Sequence, residues 1–165
     1  MEMANAVAER RQIKEKVLVF AGSGNNGGDA LAVGRLLAEK GFAVSYWMPM
    51  GTEKVSTETG RQITILKNMG FSIHDIFPDG EYDIIIDGLF GIGLTREISG
   101  VCADAVKKIQ ELKSNGAYVA SVDIPTGICA DTGSVMGCAV CADMTVTFAY
   151  AKAGHYFYPG REYTG

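Results

Sequence analysis

Short apolar runs alternate in this chain with segments of helical periodicity, and this alternation constrains the fold more than any other feature. The runs Val17–Ala21 and Tyr82–Gly88 are rich in β-branched residues and stop at glycine, which is typical of buried strands. Three further runs have the same character, namely Ala43–Pro49, Ala117–Pro125 and Met144–Tyr150. Since buried strands that alternate with amphipathic helices form βαβ units, we predict a parallel sheet.

Four segments predict helices. The cleanest period belongs to Gly100–Lys113, where Ala105, Val106 and Ile109 share one face and charged residues take the other. The remaining three are Glu2–Lys14, Gly28–Lys40 and Ser56–Met69. We therefore predict one α/β domain over residues 1–165, a Rossmann-like doubly wound, mostly parallel sheet with helices on both faces. The chain starts inside a helix and stops at GREYTG without a closing element, so we expect a domain truncated at both ends.

Charge and composition exclude several classes of protein. The 15 basic and 19 acidic residues give a formal net charge of −4, which provides no basic footprint for nucleic acid. No apolar run approaches the roughly 20 residues that span a bilayer, and the charged amino terminus does not resemble a signal peptide. We therefore expect a cytoplasmic protein without a membrane partner. Cys138 and Cys141 form a C-x-x-C pair with no second pair, so we expect reduced thiols and no metal centre there.

The first predicted strand runs into a glycine-rich loop, GSGNNGGD, at Gly22–Asp29. Its glycines allow the backbone to approach a ligand closely, and the start of the following helix offers free N–H groups to a phosphate. The spacing Gly-x-Gly-x-x-Gly at Gly22, Gly24 and Gly27 therefore indicates a dinucleotide-type ligand at the carboxyl edge of the sheet. The alternative is a tight strand-to-helix turn that binds nothing.

Two carboxylates and a second glycine-rich loop fall at the same edge. Asp87 and Asp123 each end an apolar strand, where a carboxylate is costly unless it is paired, caps a turn or binds a cation. The loop Gly88–Glu97 follows Asp87, and its Arg96 either pairs with a phosphate or is a solvated surface charge. Asp29 is predicted to lie in the first turn of a helix, where the helix dipole favours a negative charge.

These motifs together resemble one known family. The segments GSGNNGGDALAVGRLLAEKG, DGLFGIGLTREISG and VDIPTGICADTG resemble the YjeF N-terminal domain family, the NAD(P)H-hydrate epimerases, over residues 17–165. The resemblance implies interconversion of the R and S forms of NADHX and NADPHX, damaged cofactors that carry a hydroxyl at C6 of the nicotinamide ring. It also implies a homodimer and an ADP- or ATP-dependent NAD(P)HX dehydratase as partner, fused or separate, that restores the cofactor from the S form.

The resemblance also implies the site residues. The cofactor site would comprise Asn25, Asn26, Gly27, Gly28, Asp29, Gly91, Ile92, Gly93, Leu94, Thr95, Arg96, Glu97 and Asp123. A potassium ion would be bound by Asn26, Asp87 and Thr126, oxygen ligands that suit a hard, weakly held cation. Two positions depart from the family's usual pattern, because Thr126 replaces the more common serine and Ile92 stands where threonine is frequent.

The expected chemistry makes Asp123 the catalytic residue. The hydroxylated C6 is bonded to the ring nitrogen, so loss of hydroxide leaves a cation that this nitrogen stabilises, and water can return to either face. A carboxyl group near C6 can protonate the departing hydroxide and deprotonate the returning water. We assign this role to Asp123, which ends a strand beside the predicted cofactor site, and we assign cation binding to Asp87.

Two other hypotheses stay open at the level of sequence. Relatives of this domain serve as non-catalytic nucleotide-binding or protein-interaction scaffolds, but a scaffold has no need of NNGGD together with Asp87 and Asp123. An ordinary nicotinamide dehydrogenase would place an acidic residue at the end of the second strand to hold the ribose. Here that strand ends in Met48, Pro49 and Met50, which argues against a dehydrogenase.

Overall fold

The computed structural model describes residues 1–12 and 14–165, and a parallel sheet forms its centre. Six parallel strands of the described chain lie in the order β3-β2-β1-β4-β5-β6. This order is the one typical of dinucleotide-binding folds, and it reverses direction between β1 and β4. The strands are β1 (Lys16–Ala21), β2 (Ala43–Trp47), β3 (Ile73–His74), β4 (Ile84–Gly88), β5 (Tyr118–Val122) and β6 (Met144–Val146).

In the described part of the chain, four α-helices cover both faces of the sheet, as predicted. They are α1 (Glu2–Arg10), α2 (Asn25–Glu39), α3 (Thr57–Asn68) and α4 (Val101–Ser114). Alternate residues of each strand point to opposite faces. Val17 and Val19 of β1 therefore pack in one core with α1, α2 and α3, while Leu18 and Phe20 pack in a second core with α4. The predicted α/β fold with a doubly wound parallel sheet is confirmed.

Helix α2 begins three residues before the predicted start, so Asn25 and Asn26 belong to its first turn and not to a loop. Close packing explains the difference. A Cβ on Gly27 would lie 1.9 Å from the carbonyl oxygen of Gly22, and a Cβ on Gly28 would lie 2.8 Å from Oγ1 of Thr59. These two glycines are poor helix formers, but they let the helix start lie directly on its neighbours, and packing overrides propensity here.

The predicted ends of the chain need correction. Helix α1 ends at Arg10, because Arg11 is extended, and position 13 of the predicted helix lies outside the described residues. Strand β6 ends at Val146 and not at Tyr150. The remaining helix and strand boundaries agree with prediction to within three residues, but β3 and two 3-10 helices were not predicted, Ala153–His155 and Gly160–Tyr163. Elements of two to four residues are too short to show a period.

Candidate functional site

A cleft of about 480 Å³ opens at the carboxyl edge of the sheet, where the strand order reverses between β1 and β4. In open α/β sheets this is the position where ligands bind. Residues from the ends of β1, β4 and β5 and from the start of α2 meet there. They are Ser23, Gly24, Asn25, Asn26, Asp29, Leu89, Phe90, Gly91, Ile92, Gly93, Leu94 and Asp123.

The start of α2 forms one wall of this cleft. Gly24 is the N-cap, and a Cβ built on it would meet no atom within 4 Å, so the backbone is open to a ligand. The carbonyl oxygen of Gly24 accepts a hydrogen bond of 2.7 Å from the hydroxyl of Thr59, which is fully buried. The backbone N–H of Ser56 donates to the carbonyl of Ser23 at 2.8 Å. The loop is therefore fixed from behind by α3, while its front faces the cleft.

Asp87 lies beneath the cleft and is fully buried. Its carboxylate accepts hydrogen bonds from the hydroxyl of Ser121 at 2.8 Å, and from the backbone N–H and the hydroxyl of Thr126 at 2.9 and 2.6 Å. Burial raises the pKa of Asp87 above its ordinary value, and the hydrogen bonds from Thr126 and Ser121 oppose that shift. Among the described residues it forms no salt bridge, so a buried negative charge here has polar donors but no basic side chain.

Asn26, in the first turn of α2, lies beside the loop that follows β4. A Cβ on Gly91 would lie 3.0 Å from the side-chain amide of Asn26, and a Cβ on Gly88 would lie 3.0 Å from its backbone carbonyl oxygen. The amide nitrogen of Asn26 is buried without a hydrogen-bond partner in the described part of the chain. Thr126 reaches the same loop, because its hydroxyl accepts a hydrogen bond of 3.0 Å from the N–H of Phe90.

Asp123 follows β5 and has a positive φ of 67°, which is uncommon outside glycine. Its N–H donates to the carbonyl of Val146 at 2.9 Å. Its Oδ1 accepts hydrogen bonds from the hydroxyl of Thr147 and the N–H of Phe148, each 3.0 Å long. The ammonium of Lys152 forms a salt bridge with the same oxygen. The sequence-predicted catalytic carboxyl group thus lies in the cleft, held from the side of β6 and the segment after it.

His155 supports this arrangement from the 3-10 helix Ala153–His155. Its Nδ1 accepts a hydrogen bond of 2.8 Å from the N–H of Lys152, so Nε2 carries the proton and donates to the carbonyl of Asp123 at 3.0 Å. Burial lowers the pKa of His155 below its ordinary value, and the nearby charge of Lys152 also lowers it. A neutral imidazole therefore bridges the backbones of Lys152 and Asp123.

Asp29 provides the second carboxyl group of the cleft. Because α2 starts at Asn25, Asp29 lies in the second turn and not in the first, so the predicted dipole argument does not apply to it. Burial, followed by the negative charge of Asp123, raises the pKa of Asp29 above its ordinary value. The two carboxyl groups are therefore close enough to influence each other electrostatically.

The remaining predicted residues differ in their distance from the cleft. The stretch from Gly91 to Leu94 lines it, whereas the exposed Thr95, Arg96 and Glu97 lie outside its lining. Gly27 and Gly28 are buried behind the wall that they allow to pack. Three side chains that matter to the site were not predicted at all, namely Thr59, Lys152 and His155.

The thiols of all four cysteines are free and partly buried. In the part of the chain that the structure describes, no group of three or more histidine, cysteine, aspartate or glutamate residues could hold a metal ion. No helix among these residues combines the length and the apolar character that crossing a membrane requires.

The strand order and the cleft define a Rossmann-like α/β domain with an open cleft at its switch point. More narrowly, the chain belongs to the family described as YjeF-related protein N-terminus, whose model matches residues 1–154.

Curated relatives carry names that describe cofactor repair. The chain is 38% identical over 152 residues to the NAD(P)H-hydrate epimerase of Levilactobacillus brevis, covering 92% of this chain and 69% of the relative. It is 41% identical over 152 residues to the NAD(P)H-hydrate epimerase of Oenococcus oeni, covering 92% of this chain and 71% of that one. It is also 35% identical to the bifunctional NAD(P)H-hydrate repair enzyme Nnr of Thermofilum pendens, covering 89% of this chain and 29% of that protein.

A solved structure shares the architecture. The crystal structure of yeast ynu0 superposes with a TM-score of 0.79 at 21% sequence identity, covering 93% of this chain and 69% of that chain. At this identity the similarity concerns the fold alone.

Proposed function

We propose that this chain is an isomerase that interconverts the R and S forms of NADHX and NADPHX. The family and the names of the relatives support the reaction. The observation that carries the proposal is the cleft, where Asn25, Asn26 and Asp29 on α2 lie across from Gly91–Leu94 and beside Asp123. A non-catalytic scaffold gives no reason for a carboxyl group held at a positive φ inside such a cleft.

The two sides of the cleft suit different parts of the substrate. The start of α2, with Gly24 as its cap and Asn25 in its first turn, offers backbone N–H groups and a partial positive charge to a phosphate. The loop at Gly91–Leu94 faces it with two glycines and two apolar side chains. Asp123 lies beside both, so a ligand whose phosphates lie at α2 would bring its nicotinamide ring to the carboxyl group.

Asp123 is the proposed catalytic residue. Its Oδ1 is occupied by three donors, whereas Oδ2 accepts no hydrogen bond from the residues that the structure describes. The C6–O bond breaks as the carboxyl group protonates the departing hydroxide, and the ring nitrogen stabilises the cation that remains. The same group then takes a proton from the water that adds to the other face. The reaction neither consumes nor releases a proton, so one carboxyl group can serve both half-steps.

The potassium ion belongs to the proposal as well. Asp87 and Thr126 are joined by a hydrogen bond of 2.6 Å. The amide oxygen of Asn26, which would be its ligand atom for the ion, lies beside Gly91 in the loop that follows β4. Oxygen atoms of a carboxylate, a hydroxyl and an amide fit a hard monovalent cation. When bound, such an ion would supply positive charge under the cleft, which offsets the buried charge of Asp87 and favours a phosphate-bearing ligand.

The proposal extends to partners and location. The enzyme would work with an ADP- or ATP-dependent NAD(P)HX dehydratase, and the name of the bifunctional repair enzyme of Thermofilum pendens supports a fused arrangement. A homodimer and a cytoplasmic location stay predictions.

The direct test uses pure (R)-NADPHX and NMR detection of the S form in potassium chloride. We expect conversion well above the rate without protein, and faster than in choline chloride at equal ionic strength. A rate equal to the background in both salts would contradict the proposed function.

A further inference from the structure

We propose that Lys152 is a positioning residue of the epimerase site, which holds Asp123 so that its second carboxylate oxygen faces the substrate. This inference rests on the proposed function, because it assigns a role within the same site. It concerns a residue 29 positions away from Asp123 in sequence, in a segment without regular periodicity.

The ammonium of Lys152 has no donor left for a substrate. Its three N–H groups point to Oδ1 of Asp123, to the hydroxyl of Thr147 at 2.8 Å and to the carbonyl of Phe148 at 2.6 Å. A lysine ammonium has three donors in total. Lys152 is also absent from the cleft lining, and its side chain is only 17% exposed. It therefore acts through Asp123 and does not itself touch the reacting atoms.

The two carboxylate oxygens of Asp123 have different surroundings: one is held by hydrogen bonds and the other is left for the reaction. Lys152, Thr147 and Phe148 all bind Oδ1 and fix the plane of the carboxyl group. Thr147 links two of these contacts, because its oxygen accepts from Lys152 and its proton goes to Asp123. Oδ2 receives no hydrogen bond from the described part of the chain, and Asp123 lines the cleft. The geometry leaves one oxygen for proton transfer.

The backbone of Asp123, like its side chain, is held by hydrogen bonds. The N–H of Asp123 donates to Val146, and its carbonyl accepts from Nε2 of His155. Nδ1 of His155 in turn accepts from the N–H of Lys152. A positive φ at a residue other than glycine persists only where surrounding contacts hold it. Lys152 is thus joined to Asp123 by its side chain directly and by its backbone through His155.

The experiment compares Lys152→Met with a matched variant, Lys113→Met. Lys113 also forms a part-buried salt bridge, 2.6 Å from Asp143, and donates to the carbonyl of Cys141 at 2.8 Å, but neither it nor Asp143 lines the cleft. We expect Lys152→Met to lower kcat for (R)-NADPHX about 100-fold with KM within about threefold of the parent, because orientation of a proton-transfer group affects the transition state more than binding. Lys113→Met should keep the parent kcat.

Lys152→Arg keeps the charge and tests geometry if the methionine variant fails to fold. A planar guanidinium cannot reproduce the three directions of the ammonium donors, so we expect a loss in kcat of about tenfold at unchanged KM. A parent kcat in a folded Lys152→Met or Lys152→Arg protein would overturn the inference, as would an equal loss in Lys113→Met. If the parent protein itself shows no epimerisation, the proposed function fails, which is a separate outcome.

Discussion

Asp123 occupies a backbone conformation that asparagine and aspartate tolerate better than most residues. Asp123→Asn should therefore keep the fold, since the amide oxygen can still accept the hydrogen bonds from Thr147 and Phe148. It removes the proton-transfer group, so we expect kcat to fall about 10²- to 10⁴-fold. Steady-state kinetics with (R)-NADPHX and a thermal melt of the same sample check both parts. A folded variant with the parent kcat would remove Asp123 from the mechanism.

Substitution of Asp87 tests whether a potassium ion binds at the proposed site. A cation that binds only the folded chain stabilises it by mass action, so the parent Tm should be about 2–4 °C higher in potassium chloride than in choline chloride at equal ionic strength. Asp87→Asn removes the buried charge and should abolish the difference between the two salts. Differential scanning fluorimetry of both proteins measures it. Equal Tm values for the parent in the two salts would contradict a potassium site.

The lowered pKa of His155 predicts that the stability of the folded chain depends on pH. Burial lowers its pKa in the folded chain below the ordinary value of 6.5, so the unfolded chain binds a proton first as the pH falls. The folded state therefore loses stability below about pH 6.5, and the loss continues down to the lowered pKa. We expect the Tm to drop more between about pH 7.5 and about pH 5.5, on either side of the ordinary pKa, in the parent than in His155→Gln. Parallel Tm curves would show that His155 does not titrate in this way.

At the scale of elements, two glycines of the glycine-rich loop have different roles, one in packing and one in ligand binding. Gly22→Ala would place a Cβ 1.8 Å from the carbonyl oxygen of Leu89, so we expect a loss of about 2 kcal/mol or more in unfolding free energy. Gly24→Ala meets open space, and its stability should change by about 1 kcal/mol or less. Its methyl group enters the cleft, so we expect binding of NADPHX to weaken about tenfold.

Urea unfolding and calorimetric titration compare the two glycine variants. If Gly24→Ala bound NADPHX as tightly as the parent, the start of α2 would not be the phosphate-binding wall of the cleft.

The surroundings of this loop were only partly predictable from the sequence. The ends of β1 and β4 were placed correctly, because buried strands and glycine loops are local signals, whereas β5 ends at Val122, three residues before its predicted end at Pro125. Parallel strands bring their carboxyl ends to one edge. Asp87 and Asp123 therefore met the loop as expected. The start of α2 was misplaced because helix propensity takes no account of tertiary contacts, such as the packing of Gly27 on Gly22.

The support of Asp123 was missed for a related reason. Lys152 and His155 lie in a stretch with no helical or strand period, and the short 3-10 helix that carries His155 gives no pattern. Thr59 is buried in α3 and donates to the carbonyl of Gly24, a contact that the helical period does not reveal. Side chains that position a site depend on the tertiary fold, and a single sequence does not contain that information explicitly.

At the scale of the whole molecule, the fold concentrates chemistry at one edge of the sheet. The opposite, amino-terminal edge carries ordinary structural contacts, such as the hydrogen bond of 2.8 Å from the N–H of Lys16 to Asp83. The carboxyl-terminal edge instead gathers the cleft, the buried Asp87 and the network around Asp123. Because the strand order reverses there, helices α2 and α4 lie on opposite faces and leave room for a ligand between the loops.

The central claim is that this edge catalyses loss and return of water at C6 through Asp123. The most direct measurement follows incorporation of ¹⁸O from labelled water into (S)-NADPHX formed from unlabelled (R)-NADPHX, by mass spectrometry, with the reaction without protein subtracted. We expect one ¹⁸O per epimerised molecule with the parent protein, and no incorporation above background with Asp123→Asn. Epimerisation by the parent without ¹⁸O, or equal incorporation by both proteins, would contradict it.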